Sequence, residues 1–403
     1  MKRTVITGFG ILSSLGSVKE EIVRSLQNGI SGIVFSKAMK ELGLRSTVWG
    51  DIPFHRCQEI PEKFLRFMNL SSMYSYLSMK DAIKDSGLYA DMYMKNPRAG
   101  IIIGSGSGSA QAYRSIFQKK KDRRHRISPY IAIKNLSSSI SACLGTFFKI
   151  YGVNYSICSA CATSAHCIGN AYELISSGKQ DIIFAGGGEE LSIELACQFD
   201  AMRILSSNFN DCPHSSSRAF DRDRDGFVLS GGSGVLVLEE LNFALSRNAK
   251  IYAEIVGYSA TGDGNSIVLP SGSGFIRCMK NAMKNIHGSI DYINAHGTST
   301  QIGDLTELSA IKKAFKGLAM PYISSTKSIS GHSLGASGVQ EIIYTLLMMK
   351  YYFIAPSINI DTLDPCISNM NIVQKKMNKI FNTAMSNSFG FGGTNVSLVI
   401  QRY

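Results

Sequence analysis

The chain has 403 residues, 44% of them hydrophobic and 18% charged. That balance excludes a disordered polypeptide and supplies enough apolar surface for a core that needs no disulfide staples. Forty-two Lys and Arg against 30 Asp and Glu give a formal charge of +12, which either attracts an acidic partner or is a diffuse compositional bias; with one Trp and no zinc-finger, RNA-recognition or basic-zipper pattern, nucleic acid is not the expected partner.

In chain order, the strand-like run RTVITGFG (3–10) comes first. Its basic start resembles a secretion signal, but Gly8 and Gly10 interrupt the apolar run and no small-residue cleavage site follows. Similar runs follow at GIIIGSGSG (100–108), QDIIFAGGG (180–188) and GVLVLEE (234–240), alternating with amphipathic helical segments, which is an α/β pattern. After LNFALSRNAK (241–250) a second series opens with IYAEIVGYSATGDG and continues through IDYINAHGTST (290–300), PYISSTKS (321–328), APSINI (355–360) and NVSLVIQ (395–401). VITGFGILSS and EIVGYSATGD share a strand-into-turn texture, so the expected organisation is an internal duplication with halves at 1–250 and 251–403. No window has the apolar length of a membrane helix, so no membrane insertion is expected. A cytoplasmic location is expected, and the nine cysteines read as reduced thiols.

GSGSGSA (104–110) follows a strand and invites a dinucleotide reading. Ser109 stands where that fingerprint prefers glycine or alanine, and the basic run KKKDRRHR (119–126) occupies the region where an acidic ribose contact belongs.

SICSACATSAHCIGN (156–170) holds Cys158, Cys161 and Cys167. The surrounding residues predict a strand (153–157), a tight turn and a helix whose apolar stripe is Ala165, Ile168, Ala171, Leu174 and Ile175. Zinc ligation by Cys158, Cys161, His166 and Cys167 fails on angle, because positions 161, 166 and 167 point more than about 100° apart on a helix. A C-x-x-C redox pair at a helix start stays open. A nucleophile at Cys161 fits better: the helix N-terminus is expected to lower its pKa, and free N–H groups there can hold an oxyanion. Cys167 reads as a buried small hydrophobe. His296 and Lys327, each after a predicted strand, and His332, five residues beyond Lys327 and ahead of an apolar helix, are candidate partners. The glycine-rich SNSFGFGGTN (386–395) lets backbone N–H groups approach a ligand.

Together, the SACATS turn, NAHGTST (294–300), STKSISGHSLGASGVQE (325–341) and SNSFGFGGTN resemble the condensing enzymes of fatty-acid synthesis. DIIFAGGGEE (181–190), DAMRILS (200–206) and RAFDRDRDGFVLSGG (218–232) extend the likeness end to end, and its nearest branch is the bacterial β-ketoacyl-acyl-carrier-protein synthase I group. The resemblance implies a thiolase-like α/β fold of two duplicated halves in five α-β-α-β-α layers, usually a homodimer. It implies an acyltransferase that condenses malonyl carrier protein with an acyl-enzyme thioester, losing carbon dioxide and elongating the chain by two carbons.

By the same resemblance, Cys161 is the nucleophile and the backbone amides of Cys161 and Phe391 hold the oxyanion. His296 and His332 donate to the enolate, Lys327 adds positive charge held by Glu341, and Thr298 and Thr300 bind pantetheine. Ser107 belongs to the acyl pocket. The partner is acyl carrier protein, for which Lys63, Arg66, Arg123, Arg124 and Arg126 are the expected docking residues. No metal and no cofactor are expected, since the substrates ride on the carrier's phosphopantetheine. Alternatives are a type II synthase with another chain-length preference and a non-catalytic chain-length-factor-like partner, the latter opposed by the presence of Cys161, His296, Lys327 and His332 together. Three positions depart from the family pattern: Cys158 for a usual serine, and Ser107 and Arg203 for usual glycines. An oxidant is expected to trap Cys158 and Cys161 as a disulfide.

Overall fold

A computed structural model describes residues 1–121, 127–367 and 369–403, without the side chains of 118–121. The first strand, β1 (Thr4–Leu12), is buried at all nine positions. Such a run, apolar on both faces, demands cover on both sides. Its glycines explain one side. A Cβ at Gly10 would lie 2.0 Å from the carbonyl of Ser78, and one at Gly8 2.6 Å from Ser86, so helix α1 (Leu70–Ser86) rests directly on the strand backbone. The interruption that argues against a secretion signal is a packing requirement.

Nine further strands join β1 in one sheet: β2 (Ala99–Gly104), β3 (Asn154–Tyr155), β4 (Ile182–Glu189), β5 (Gly232–Glu240), β6 (Ala253–Gly262), β7 (Tyr292–Asn294), β8 (Tyr322–Ser324), β9 (Thr383–Gly390) and β10 (Thr394–Arg402). Their order is β8-β7-β9-β10-β6-β1-β5-β4-β2-β3. Read outward from the centre, β1-β5-β4-β2-β3 and β6-β10-β9-β7-β8 are the same arrangement shifted by five strands. The halves join through a short antiparallel ladder, Thr4 to Ile255 and Ile6 to Ala253.

Helices sort into layers by composition. The helix α6 (Ser337–Tyr351) is buried from Ser337 to Met349, and a helix apolar all round belongs in an interior. It packs on β5 and β9, and α3 (Thr163–Ser176) packs on β4 and β10, so both lie between the two halves of the sheet. At Gly169 of α3 a Cβ would sit 1.9 Å from the Tyr258 ring of β6, which fixes how closely helix and strand approach. Outside lie α1 and α2 (Ser139–Phe147) on one half, and α4 (Ser273–Met283) with α5 (Gln301–Ala314) on the other. This is the five-layer thiolase-like arrangement.

One predicted strand is absent. At APSINI (355–360) the ladder covers only Phe353–Ile354, and the rest runs without strand pairing; Pro356 has no N–H to give to it. The helix expected over 241–250 closes at Leu241–Ser246.

Candidate active site

Cys161 sits in a single 3-10 turn, Ala160–Ala162, that leads into α3. The turn is sharp because Ala160 is left-handed, with φ 48°, a conformation that a small residue tolerates best. It is tied down on every side. The Ser159 amide donates to Thr163 Oγ1 at 2.8 Å, the Ala162 amide to the Ser159 carbonyl at 3.0 Å, and Thr394 Oγ1 to that same carbonyl at 3.1 Å. His166 pairs through Nδ1 with Ser159 Oγ at 2.8 Å, so it braces the turn. Cys167 is fully buried in the core.

The end of β9 packs against the same turn. A Cβ at Gly390 would lie 3.0 Å from the Ser159 carbonyl and 3.2 Å from the Cys161 amide nitrogen. That closeness directs the Phe391 amide, together with Cys161's own, at the Cys161 sulfur. Two convergent N–H groups are the arrangement that an oxyanion hole requires.

His332 comes from the opposite half of the sequence. Its backbone amide donates to Val228 O at 2.8 Å, and the Phe227 ring meets the imidazole edge to face with centroids 5.4 Å apart. These contacts place Nε2 3.1 Å from Cys161 Sγ, while Nδ1 lies 2.8 Å from Ser337 Oγ. The His296 ring stands nearly perpendicular to it, with centroids 5.3 Å apart. Glu307 of α5 fixes His296 through the backbone, accepting from the amides of His296 at 2.9 Å and Gly297 at 2.7 Å. Behind the imidazoles, Lys327 and Glu341 form a buried ion pair. Thr298 and Thr300 place their hydroxyls 3.1 Å apart on the wall of the cavity.

Burial decides the protonation states. It pushes the Cys161 thiol up to about 12, against the pull of Lys327 and the two amides. The lowered thiol pKa expected from a helix N-terminus is therefore overturned: desolvation of the thiolate outweighs the dipole. Burial first, then the Lys327 charge, holds both His296 and His332 well below 6.5. The resting site is a neutral thiol facing two neutral imidazoles.

Cys161, His296 and His332 offer three donor atoms within 4.8 Å of one another. This is a different set from the Cys158, Cys161, His166 and Cys167 group weighed in the sequence. A resident metal fits it poorly: His296 Nδ1 has no acceptor to orient the ring, and Lys327 places a like charge alongside.

A cavity of about 430 Å³ opens from Cys161, His296 and His332 past Thr298, Thr300 and Phe391 to solvent. Its mouth carries Ile267 and Leu269, which are 79% and 54% exposed. Ser107 is not among the lining residues. Its hydroxyl donates to the buried Glu189 at 2.5 Å, alongside Ser105 Oγ and the amides of Gly106 and Gly335. Lys63 and Arg66 are exposed, stacked on Phe64 and on Phe67 and Tyr130. Arg123, Arg124 and Arg126 lie outside the described residues. Cys158 points its sulfur at the Gly106 carbonyl, 3.5 Å away, whereas Cys161 points at His332, so the two thiols are free and engaged elsewhere.

Sequence reading missed Glu307, Ser337, Phe227 and Glu189. A carboxylate such as Glu307 on a helix that follows the HGTST loop is a weak signal, and the other three carry none in the sequence.

Comparison with known proteins agrees with this geometry. The family model "Beta-ketoacyl synthase, N-terminal domain" matches residues 1–244, and "Beta-ketoacyl synthase, C-terminal domain" matches 252–361. The 3-oxoacyl-[acyl-carrier-protein] synthase 1 of Buchnera aphidicola subsp. Schizaphis graminum is 62% identical over the whole of both chains. A beta-ketoacyl synthase crystal structure from Burkholderia phymatum superposes with a TM-score of 0.94 at 34% identity, covering 100% of each chain. A type II polyketide ketosynthase, solved in complex with its acyl-carrier protein, superposes at 0.89 with 26% identity over 100% of this chain and 99% of that one. Full-length identity of this order, over residues that fold into one cysteine-histidine-histidine site, makes the chain a member of the beta-ketoacyl synthase family.

Proposed function

We infer that the protein is a 3-oxoacyl-acyl-carrier-protein synthase of type I, which elongates fatty acids by two carbons. The observation that carries the reading is the 3.1 Å approach of His332 Nε2 to Cys161 Sγ at the base of an open, largely apolar cavity. In the first half-reaction Cys161 passes its proton to His332 and its sulfur attacks the acyl thioester. The oxyanion forms under the Cys161 and Phe391 amides, the bond to the carrier sulfur breaks, and the carrier thiol leaves with a proton.

In the second half-reaction malonyl carrier enters and its C–C bond to carboxylate breaks. Carbon dioxide leaves and the electron pair becomes an enolate whose oxygen needs donors. Neutral His296 supplies an N–H group there, and so does His332 in the tautomer that carries its proton on Nε2 and accepts from Ser337 Oγ at Nδ1; the Lys327 charge, held by Glu341, supports them. The enolate carbon then attacks the acyl-cysteine, releasing the β-ketoacyl product and the Cys161 thiolate, which takes up a proton from solvent to restore the thiol. Decarboxylation itself supplies the carbanion, so the reaction as written uses no cofactor beyond the pantetheine arm, which Thr298 and Thr300 accommodate.

The acyl-carrier partner is supported by the ketosynthase of similar fold solved with its carrier protein. We assign Lys63 and Arg66 to carrier docking on their exposure and charge. A homodimer belongs to the same reading, because β3 ends the sheet with Tyr151 and Tyr155 exposed beside it and an unpaired edge invites a second copy. So does a cytoplasmic setting, since an acyl-accepting thiol must stay reduced. Among the described residues no helix is long and apolar enough to cross a membrane.

Mass spectrometry of the protein incubated with acyl carrier thioesters of several chain lengths tests the reading. Acyl mass is expected on the peptide bearing Cys161 and is expected to vanish in Cys161→Ala. An adduct on Cys158 instead would overturn the assignment.

A further inference from the structure

Arg203 lines the cavity that holds Cys161, in company with Ile204, Asp225 and Ile267. Its side chain is exposed, and it makes no hydrogen bond or ion pair to any described residue. The other charged groups along the wall are already satisfied. Asp225 accepts from Ser206 Oγ and the amides of Ser207 and Asn208, at 2.7, 2.7 and 2.8 Å. Asp263 accepts from the amides of Ser271 and Gly274, at 2.8 and 2.9 Å. Glu307 is held by the His296 and Gly297 amides. The two histidines are held neutral. Among the described residues, then, the guanidinium of Arg203 is the unspent positive charge of this cavity.

The backbone adds an independent observation. Arg203 has φ 59°, a left-handed conformation that costs a residue with a Cβ roughly 1 kcal/mol or more and glycine almost nothing. A long cationic side chain kept in such a place points to a use for that side chain. Planar guanidinium also matches phosphate oxygens two at a time, as an ammonium does not.

We propose that Arg203 binds the phosphate of the phosphopantetheine arm as it threads the cavity toward Cys161. The proposal rests on the synthase reading above, in which such an arm must pass this wall. Phosphate sits at the carrier end of the arm and the thioester at the other. An exposed cation on the wall and a nucleophile at the base therefore suit one extended ligand. Arg203 sets the depth to which the arm enters and acts as a binding residue, without touching the reacting atoms.

The test uses carrier-free thioesters of one acyl group, on pantetheine and on phosphopantetheine, with the rate of Cys161 acylation read by mass spectrometry. Wild-type protein is expected to prefer the phosphorylated thioester by about tenfold, the size of one screened charge-assisted contact. That ratio should fall to about one in Arg203→Ala and in Arg203→Gly, and stay intermediate in Arg203→Lys. The glycine variant also removes the left-handed cost, so lost preference cannot be put down to a misfolded turn. An unchanged ratio in the alanine and glycine variants overturns the proposal. So does slowing confined to malonyl thioesters regardless of phosphate, which would move the contact to the malonyl carboxylate. Failure of wild-type protein to acquire acyl mass from either thioester would instead strike the synthase reading itself.

Discussion

The imidazole of His332 lies 3.1 Å from the sulfur of Cys161 across 171 positions of sequence. Neither residue is charged at rest: burial lifts the thiol to about 12 and presses the imidazole well below 6.5. Reactivity is thus stored in a contact between neutral partners. Iodoacetamide alkylation of Cys161, followed by peptide mapping, is expected to keep rising with pH to at least about pH 10, without a plateau near neutrality. It should slow in His332→Ala, which removes the proton acceptor. A plateau at neutral pH would show an ion pair instead.

In the proposed mechanism His332 serves both half-reactions and His296 only the second. His296→Ala leaves the Cys161–His332 contact in place, so acylation should persist while malonyl decarboxylation falls by roughly a hundredfold to a thousandfold, the usual effect of losing one donor to a developing oxyanion. Release of carbon dioxide and acyl loading, assayed separately on one preparation, check this.

Acid stability follows from the same burial. His296 and His332 are neutral in the fold well below the pH at which an unfolded chain takes up their protons, about 6.5. Below that point the unfolded state binds more protons, so stability falls as pH drops and recovers as pH rises. The comparison of urea midpoints between pH 5 and 8 should show a shallower acid decline in His296→Asn than in the wild type.

Lys327 and Glu341 are each 2% exposed and pair with each other. Lys327→Ala strands a buried carboxylate and is expected to lower stability by about 3–5 kcal/mol, whereas Lys327→Met with Glu341→Leu should recover much of that loss without recovering activity. Denaturation curves beside condensation rates separate the two effects.

Two glycines give contrasting expectations. Gly169→Ala drives a methyl to 1.9 Å from the Tyr258 ring, so it should cost about 1–3 kcal/mol of stability through overpacking in the middle layer. At Gly390 the tightest neighbours belong to Thr394 and the Cys161 turn, at 2.7 to 3.2 Å. Gly390→Ala should therefore reduce acylation rate more than melting temperature.

Sequence alone determined the α/β class, the strand runs around β1, β4 and β5, and the helix that follows Cys161, because these depend on local periodicity and turn chemistry. Its motifs pointed to the family and to Cys161, His296, Lys327, His332, Glu341, Thr298, Thr300 and Phe391, which the fold gathers into one site. It could not foresee that Glu307 would hold the His296 loop, that Ser337 would meet the second nitrogen of His332, or that Ser107 would pair with Glu189. Those are contacts between residues distant in the chain, decided by how the two halves of the sheet close over α3 and α6. The thiol shows the division most sharply. A helix N-terminus, read locally, favours thiolate; only the tertiary structure sets how much water remains around the sulfur, and desolvation is the larger of the two effects.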